Sequence, residues 1–308
     1  MNQSYLDIAR QGKNSWWRYL LGILVIVFLW LIVGSMVALI FATILITIPL
    51  AQSGLETEAI QRQLQDQLQI FLKTPSVGAY VSFNIPSIFF CLGIFLVVML
   101  LHRRSFRTLI SADGSLNFKR LLRGFFVWLL LSLLPIPLDY LLNPQNYVFA
   151  FNPAQWFLLL PLALILTPVQ TSTEEFFFRG YLLQGLGLIT KQPFILIIVT
   201  SLLFAIPHFA NPEMQRGAVW LALAYFSCAV FLALITLKDN RLDLALGIHA
   251  ANNLRCLFFN TRDSVLPAPA IWMVNDPGDP RLDLVFLLMQ SAIFYYIFFG
   301  RRSIKEKS

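Results

Sequence analysis

The 308-residue chain is poor in charge. Lys, Arg, Asp and Glu make up 13% of it, about half the fraction of an ordinary soluble domain. With 57% hydrophobic residues and a mean hydropathy of +0.69, that shortage excludes a water-soluble globular fold and leaves a polytopic membrane protein. Cysteine is equally scarce. Cys91, Cys228 and Cys256 lie singly in or beside apolar runs, so neither a disulfide framework nor a cysteine metal site is indicated. No internal repeat or low-complexity tract is present. The formal charge of +7 could suggest a nucleic-acid partner, but no binding module accompanies it, and none is expected. The basic residues fall in short loops between apolar runs, the arrangement of the positive-inside rule.

Those apolar runs give the architecture. They extend over Tyr19 to Ala51, Val77 to Leu101, Gly124 to Leu142, Trp156 to Leu188, Phe194 to Phe209, Gly217 to Leu237, Leu242 to Asn260, and Leu282 to Gly300. The sequence therefore predicts an all-α fold of about eight transmembrane helices in one bundle. The first run is too long for a signal-peptide core and reads as an uncleaved, tilted helix. Within a single structural domain, residues 1–155 supply the N-terminal helices, 156–260 a polar core, and 261–308 a loop, the last span and a basic tail. Between the first two spans, residues 52–73 change character. Ile60, Leu64, Leu68 and Phe71 recur on one face among Gln, Glu and Arg, which is the pattern of an amphipathic helix on the membrane surface, with a lid over a substrate entrance as the alternative.

Charge sets the expected orientation. An even number of spans puts both termini on one side. Arg10, Lys13, Arg18, the cluster Arg103, Arg104, Arg107, Lys119, Arg120 and Arg123, then Lys191, Lys238 and Arg241, and the C-terminal Arg301, Arg302, Lys305 and Lys307 share that side. Opposite them lie Arg62, Lys73, Arg216, Arg262 and Arg281. The expectation is an integral, multi-pass protein with both termini cytoplasmic, in the plasma membrane if the source is prokaryotic.

One apolar run contains what lipid does not tolerate. Thr171 to Gln184, TSTEEFFFRGYLLQ, places Glu174, Glu175 and Arg179 at membrane depth. An ionisable side chain there costs at least a few kcal/mol, about 3 on the most lenient scale, and normally faces a cavity or a partner. Glu175 and Arg179 are i, i+4 and share a helix face, so they can pair. Glu174 is rotated about 100° away. One carboxylate is then structural and the other is available for chemistry, unless all three form a buried ion cluster.

Two of the three histidines also lie in apolar runs. His208 follows Phe204 by one turn in FAIPHF, and Asn253 follows His249 by one turn in HAANN. Each has a plainer explanation. His208 lies near the end of its run and could be interfacial, while His249 and Asn253 could make interhelical hydrogen bonds, each worth about 0.6 kcal/mol. His102 reads as a solvated loop residue beside the basic cluster, and Arg255 as a side chain snorkelling outward. Converging carboxylate and imidazole groups inside a bundle can hydrolyse a peptide bond in two ways. Glu174 with His208 can deprotonate a water while His249 and Asn253 donate to the developing oxyanion. Alternatively, Glu174, His208 and His249 can hold a zinc ion, with Glu175 as base. The zincin pattern H-E-x-x-H is absent, so spacing does not force a metal.

EEFFFR (Glu174 to Arg179), FAIPH (Phe204 to His208) and HAANN (His249 to Asn253) resemble, in order and in type, the three motifs of the CAAX protease and bacteriocin-processing family, which includes the type II CAAX prenyl endopeptidases and abortive-infection proteins. The likeness covers about Trp156 to Asn260. It implies an intramembrane endopeptidase in which Glu174, Glu175, His208, His249 and Asn253 are catalytic or metal-binding, supported by Arg179 and Phe204. The family carries a metalloprotease name, and a metal-free mechanism is equally compatible with the residues. The implied partners are a peptide or protein substrate, with or without a lipid modification, and the bilayer. Two other functions fit intramembrane carboxylates and imidazoles: a proton- or ion-coupled transporter, and a noncatalytic immunity or scaffold protein of the same fold.

Overall fold

A computed structural model describes residues 4–54 and 56–300. The basic tail lies outside these residues. The fold is all-α and polytopic, with nine helices among the described residues: α1 (Trp16–Gln52), α2 (Thr57–Lys73), α3 (Val77–Leu101), α4 (Phe118–Leu142), α5 (Pro153–Leu186), α6 (Pro193–His208), α7 (Ala218–Asp239), α8 (Asp243–Leu254) and α9 (Pro280–Gly300). A small sheet joins β1 (Tyr147–Phe149), β2 (Phe259–Thr261) and β3 (Trp272–Val274). β3 is central, antiparallel to β1 and parallel to β2.

Apolar side chains are turned outward, as lipid requires. On α1, Leu20, Leu24, Phe28 and Ile32 are exposed, whereas Gly22, Ile26 and Gly34 are buried against the bundle. Small residues on the inner face let backbones approach, which is how helices associate where lipid offers no hydrophobic driving force between them. A Cβ at Gly34 would stand 2.7 Å from the Cα of Pro86 on α3.

The expected count of eight spans does not follow from the helix lengths. Six helices, α1, α3, α4, α5, α7 and α9, are long and apolar enough to cross a membrane. The two that carry the histidines are shorter, with 16 residues in α6 and 12 in α8. At 1.5 Å per residue α8 measures about 18 Å, well under the roughly 30 Å hydrocarbon core. It needs no greater length because it meets protein rather than lipid, with every residue from Asp243 to Ala251 buried. The rest of the run expected to be a seventh span is a 3₁₀ turn (Arg255–Leu257) and then β2.

α8 packs on α4 and α5. Gly247 makes the contact with α4 possible, since a Cβ there would collide with the Leu121 carbonyl oxygen and lie 2.9 Å from the Phe125 nitrogen. Trp128 of α4 is fully buried and stacks on Phe231 of α7 at 5.5 Å between ring centroids. Together these contacts clamp α8 in the centre of the bundle, beside the motif-bearing half of α5.

α2 is a helix without a buried residue. Its half-buried positions include Ile60, Leu64, Leu68 and Phe71, the face that the sequence pattern singles out. His102 departs from its expected solvated position. It is fully buried, with Nδ1 2.8 Å from the Lys13 carbonyl and Nε2 2.9 Å from the Tyr181 hydroxyl. A histidine flanked by arginines in sequence looked solvated because only the fold brings residues 13 and 181 to it.

Candidate active site

The lower half of α5 widens into a π-helical segment, Phe176–Leu182, directly after the two glutamates. Such segments recur at functional sites because they redirect side chains without ending the helix. Four to five residues per turn still leave Glu175 and Arg179 on one face, and they pair at 2.9 Å with both side chains fully buried. Arg179 also donates to the Ala229 carbonyl of α7 at 3.2 Å and lies 4.3 Å above the Phe204 ring. The cation is thus held by a carboxylate, a carbonyl and a π face.

Glu175 has a second partner. His249 on α8 places Nδ1 2.8 Å from Glu175 Oε1. A carboxylate oxygen only accepts, so Nδ1 is the nitrogen that donates here, and in the neutral imidazole Nε2 is then an acceptor. Nε2 faces Glu174 Oε2 at 3.6 Å. That oxygen is buried and accepts no hydrogen bond among the described residues. Glu174 Oε1 instead accepts from Gln170 Nε2 at 3.0 Å, and Gln170 Oε1 accepts from Asn253 Nδ2 at 3.1 Å. Asn253 is thus the asparagine on the site face. Asn252 is exposed and reaches only Asn253.

His208, at the end of α6, gives its Nδ1 to the Phe204 carbonyl at 2.9 Å. Its ring stacks on Phe204 at 4.6 Å, and Phe204 meets His249 edge-on at 5.9 Å. Phe204 therefore touches both imidazoles. Among the described residues no ion-pair contact of 4.0 Å or less joins His208 to Glu174. The imidazole beside Glu174 is that of His249. On its other side His208 lies 4.5 Å from Tyr225, whose hydroxyl bonds Glu213 at 2.5 Å.

The site is graded in depth. Glu175 and Arg179 are sealed, the His249 and Glu174 side chains are 8% and 15% exposed, and Gln170, His208 and Asn253 are half-buried. The Glu174 carboxylate and the imidazoles thus lie above a sealed ionic floor, with exposure rising away from it. For zinc the donor chemistry is suitable in kind, because each imidazole is anchored through Nδ1 and presents Nε2, as metal-binding histidines do. The geometry does not complete the set. Among the described residues, no three His, Cys, Asp or Glu side chains come together closely enough to hold a metal ion.

Gln170 and Tyr225 were missed by the sequence reading. Gln170 had a detectable signal, being a polar residue one turn before Glu174 in an apolar run. Tyr225 had none, since nothing local distinguishes it from other aromatic residues of α7.

A helical, multi-pass membrane protein whose buried helix α8 brings an imidazole to a carboxylate pair, with a second imidazole on α6 stacked on Phe204, is the class that fold and site define. Comparison with known proteins narrows it. Residues 153–255, from the start of α5 to the end of α8, match the model of the Rce1-like type II CAAX prenyl endopeptidases. The chain is 34% identical over 287 residues to the uncharacterized protein YyaK of Bacillus subtilis (strain 168), covering 92% of this chain and 91% of that one. No solved structure matches. The chain belongs to the Rce1-like family of CAAX-type membrane proteases.

Proposed function

We propose that this protein hydrolyses a peptide bond inside the bilayer with a water activated at Glu174. The observation that carries the reading is Glu174 Oε2 facing His249 Nε2 at 3.6 Å, both acceptors with His249 in its neutral form. Two acceptors at that separation do not bond each other, and a polar gap of this width suits a bridging water. A water donating one hydrogen to each keeps its lone pairs for attack on a substrate carbonyl. Glu174 takes one proton as hydroxide forms its new bond to the carbonyl carbon, then returns it to the leaving amine.

The surrounding residues take supporting parts. Glu175 fixes the His249 tautomer through Nδ1, and Arg179 balances the Glu175 charge. Asn253 has a second amide N–H besides the one given to Gln170, and this donor faces the oxyanion. His208, stacked on Phe204 and more exposed than His249, presents its Nε2 to the scissile segment. This arrangement moves the partner of Glu174 in water activation from His208 to His249. The substrate is a membrane-associated peptide or protein, and the family's name makes a prenylated CAAX peptide the first probe. Both termini lie on the cytoplasmic side, where the basic loop Arg103 to Arg123 is also placed.

Zinc held by Glu174, His208 and His249 is a second reading, favoured by the two anchored imidazoles. In it the ion would supply Lewis acidity. The test uses protein reconstituted in liposomes with a quenched prenylated CAAX peptide and, in parallel, unmodified transmembrane peptides. Glu174→Gln lowers cleavage by about 10²- to 10⁴-fold, the usual contribution of a general base. Chelation leaves the wild-type rate unchanged. Loss of cleavage on chelation, restored by zinc, assigns the site to a metal. Full turnover by Glu174→Gln, or no hydrolysis of any probe by the wild type, overturns the proposal. Ion flux across the same liposomes would point to a transporter instead.

A further inference from the structure

Gln170 belongs to none of the three motifs, yet it makes the one hydrogen bond that the Glu174 carboxylate receives among the described residues. A carboxylate has two equivalent oxygens, and rotation about its last side-chain bond interchanges them. Here they are not equivalent. Oε1 is held by Gln170 Nε2 at 3.0 Å, and Oε2 is left buried and turned to His249 Nε2. Gln170 is in turn fixed end for end. Its Oε1 takes an N–H from Asn253, whose own Oδ1 takes one from Asn252 at 3.3 Å. Every donor in this chain of amides points the same way, so each bond polarises the next, and the chain ends on a carboxylate.

We propose that Gln170 is a positioning residue for the reaction: it selects Oε2 as the oxygen that meets the water and ties Asn253 on α8 to the base on α5. The inference rests on Glu174 acting as the base. A purely structural role, joining two helices, would lower stability and leave the chemical step alone. A positioning role acts on turnover. A hydrogen bond to a charged group contributes enough that its loss corresponds to about a ten- to hundredfold change.

The experiment uses the full-length protein in liposomes. Gln170→Met keeps the length of the side chain and removes both polar ends; Gln170→Asn keeps the amide but falls one methylene short. With the quenched peptide, kcat falls about ten- to hundredfold in Gln170→Met with KM changed less than about twofold, and Gln170→Asn falls in the same direction. A second readout needs no activity. In protein labelled with ¹³C-glutamate, the infrared carboxylate band that vanishes in Glu174→Gln belongs to Glu174, and this band shifts in Gln170→Met. An unmoved band, or an unchanged kcat in a wild type that cleaves, overturns the inference. Should the wild type cleave nothing, the functional reading fails while the band position still decides the part played by Gln170.

Discussion

Replacing Arg179 with methionine isolates the ionic floor of the site. The guanidinium makes a 2.9 Å ion pair with Glu175, a 3.2 Å bond to the Ala229 carbonyl and a 4.3 Å contact with Phe204, all without solvent. Methionine keeps much of the volume but strands the Glu175 charge. Removing one partner of a buried pair costs about 3 to 5 kcal/mol, because the remaining charge has been taken out of water with nothing to balance it. Unfolding in mixed micelles, followed by tryptophan fluorescence, should show a loss of that size for Arg179→Met. Adding Glu175→Gln should recover most of it, since a neutral amide carries no stranded charge and its carbonyl can still accept from His249 Nδ1. Cleavage should nevertheless stay low in the double variant, because the charge that fixes the His249 tautomer is gone. A cost below about 1 kcal/mol for Arg179→Met, or no recovery in the double variant, would refute the assignment of Glu175 and Arg179 as the site's structural pair.

Two further expectations concern the scaffold. Burial, the largest influence on His102, holds its imidazole down at about 4, against about 6.5 in an unfolded chain. The unfolded state therefore binds the proton first, so the stabilisation is complete above pH 6.5 and is lost as pH falls through 4. It amounts to about 3 kcal/mol. Unfolding at pH 7.5 and 4.5 measures it, and a His102→Phe variant should lose that part of the pH dependence; equal pH slopes in the two proteins would contradict it. Gly247→Ala should cost about 1 to 3 kcal/mol by overpacking, and should lower cleavage by moving α8, and His249 with it, off the α4 backbone. A thermal shift together with the peptide assay tests this, and an unperturbed variant would show that the close contact is not needed.

Much of the site could be read from single helices. The period of 3.6 residues puts Glu175 and Arg179 on one face, and they do pair. It also favours Asn253 over Asn252 for the site face, and Asn253 is the one that turns to α5. The span count was less legible. A hydropathy run reports how apolar a segment is and not what surrounds it, so a 12-residue helix enclosed by protein and the strand after it looked like one crossing.

By itself the sequence determined that the protein lives in lipid, that its costly polar groups are concentrated on three segments, and which side chains within one helix share a face, because these properties depend on composition and on local periodicity. Only the tertiary structure decided that His249 rather than His208 stands next to Glu174, that Phe204 touches both imidazoles, that Gln170 grips the carboxylate, and that His102 is buried against Tyr181. Those outcomes depend on how far and at what rotation one helix packs against another. Contacts between residues as much as about 80 positions apart in the chain set that geometry, and no local pattern encodes it.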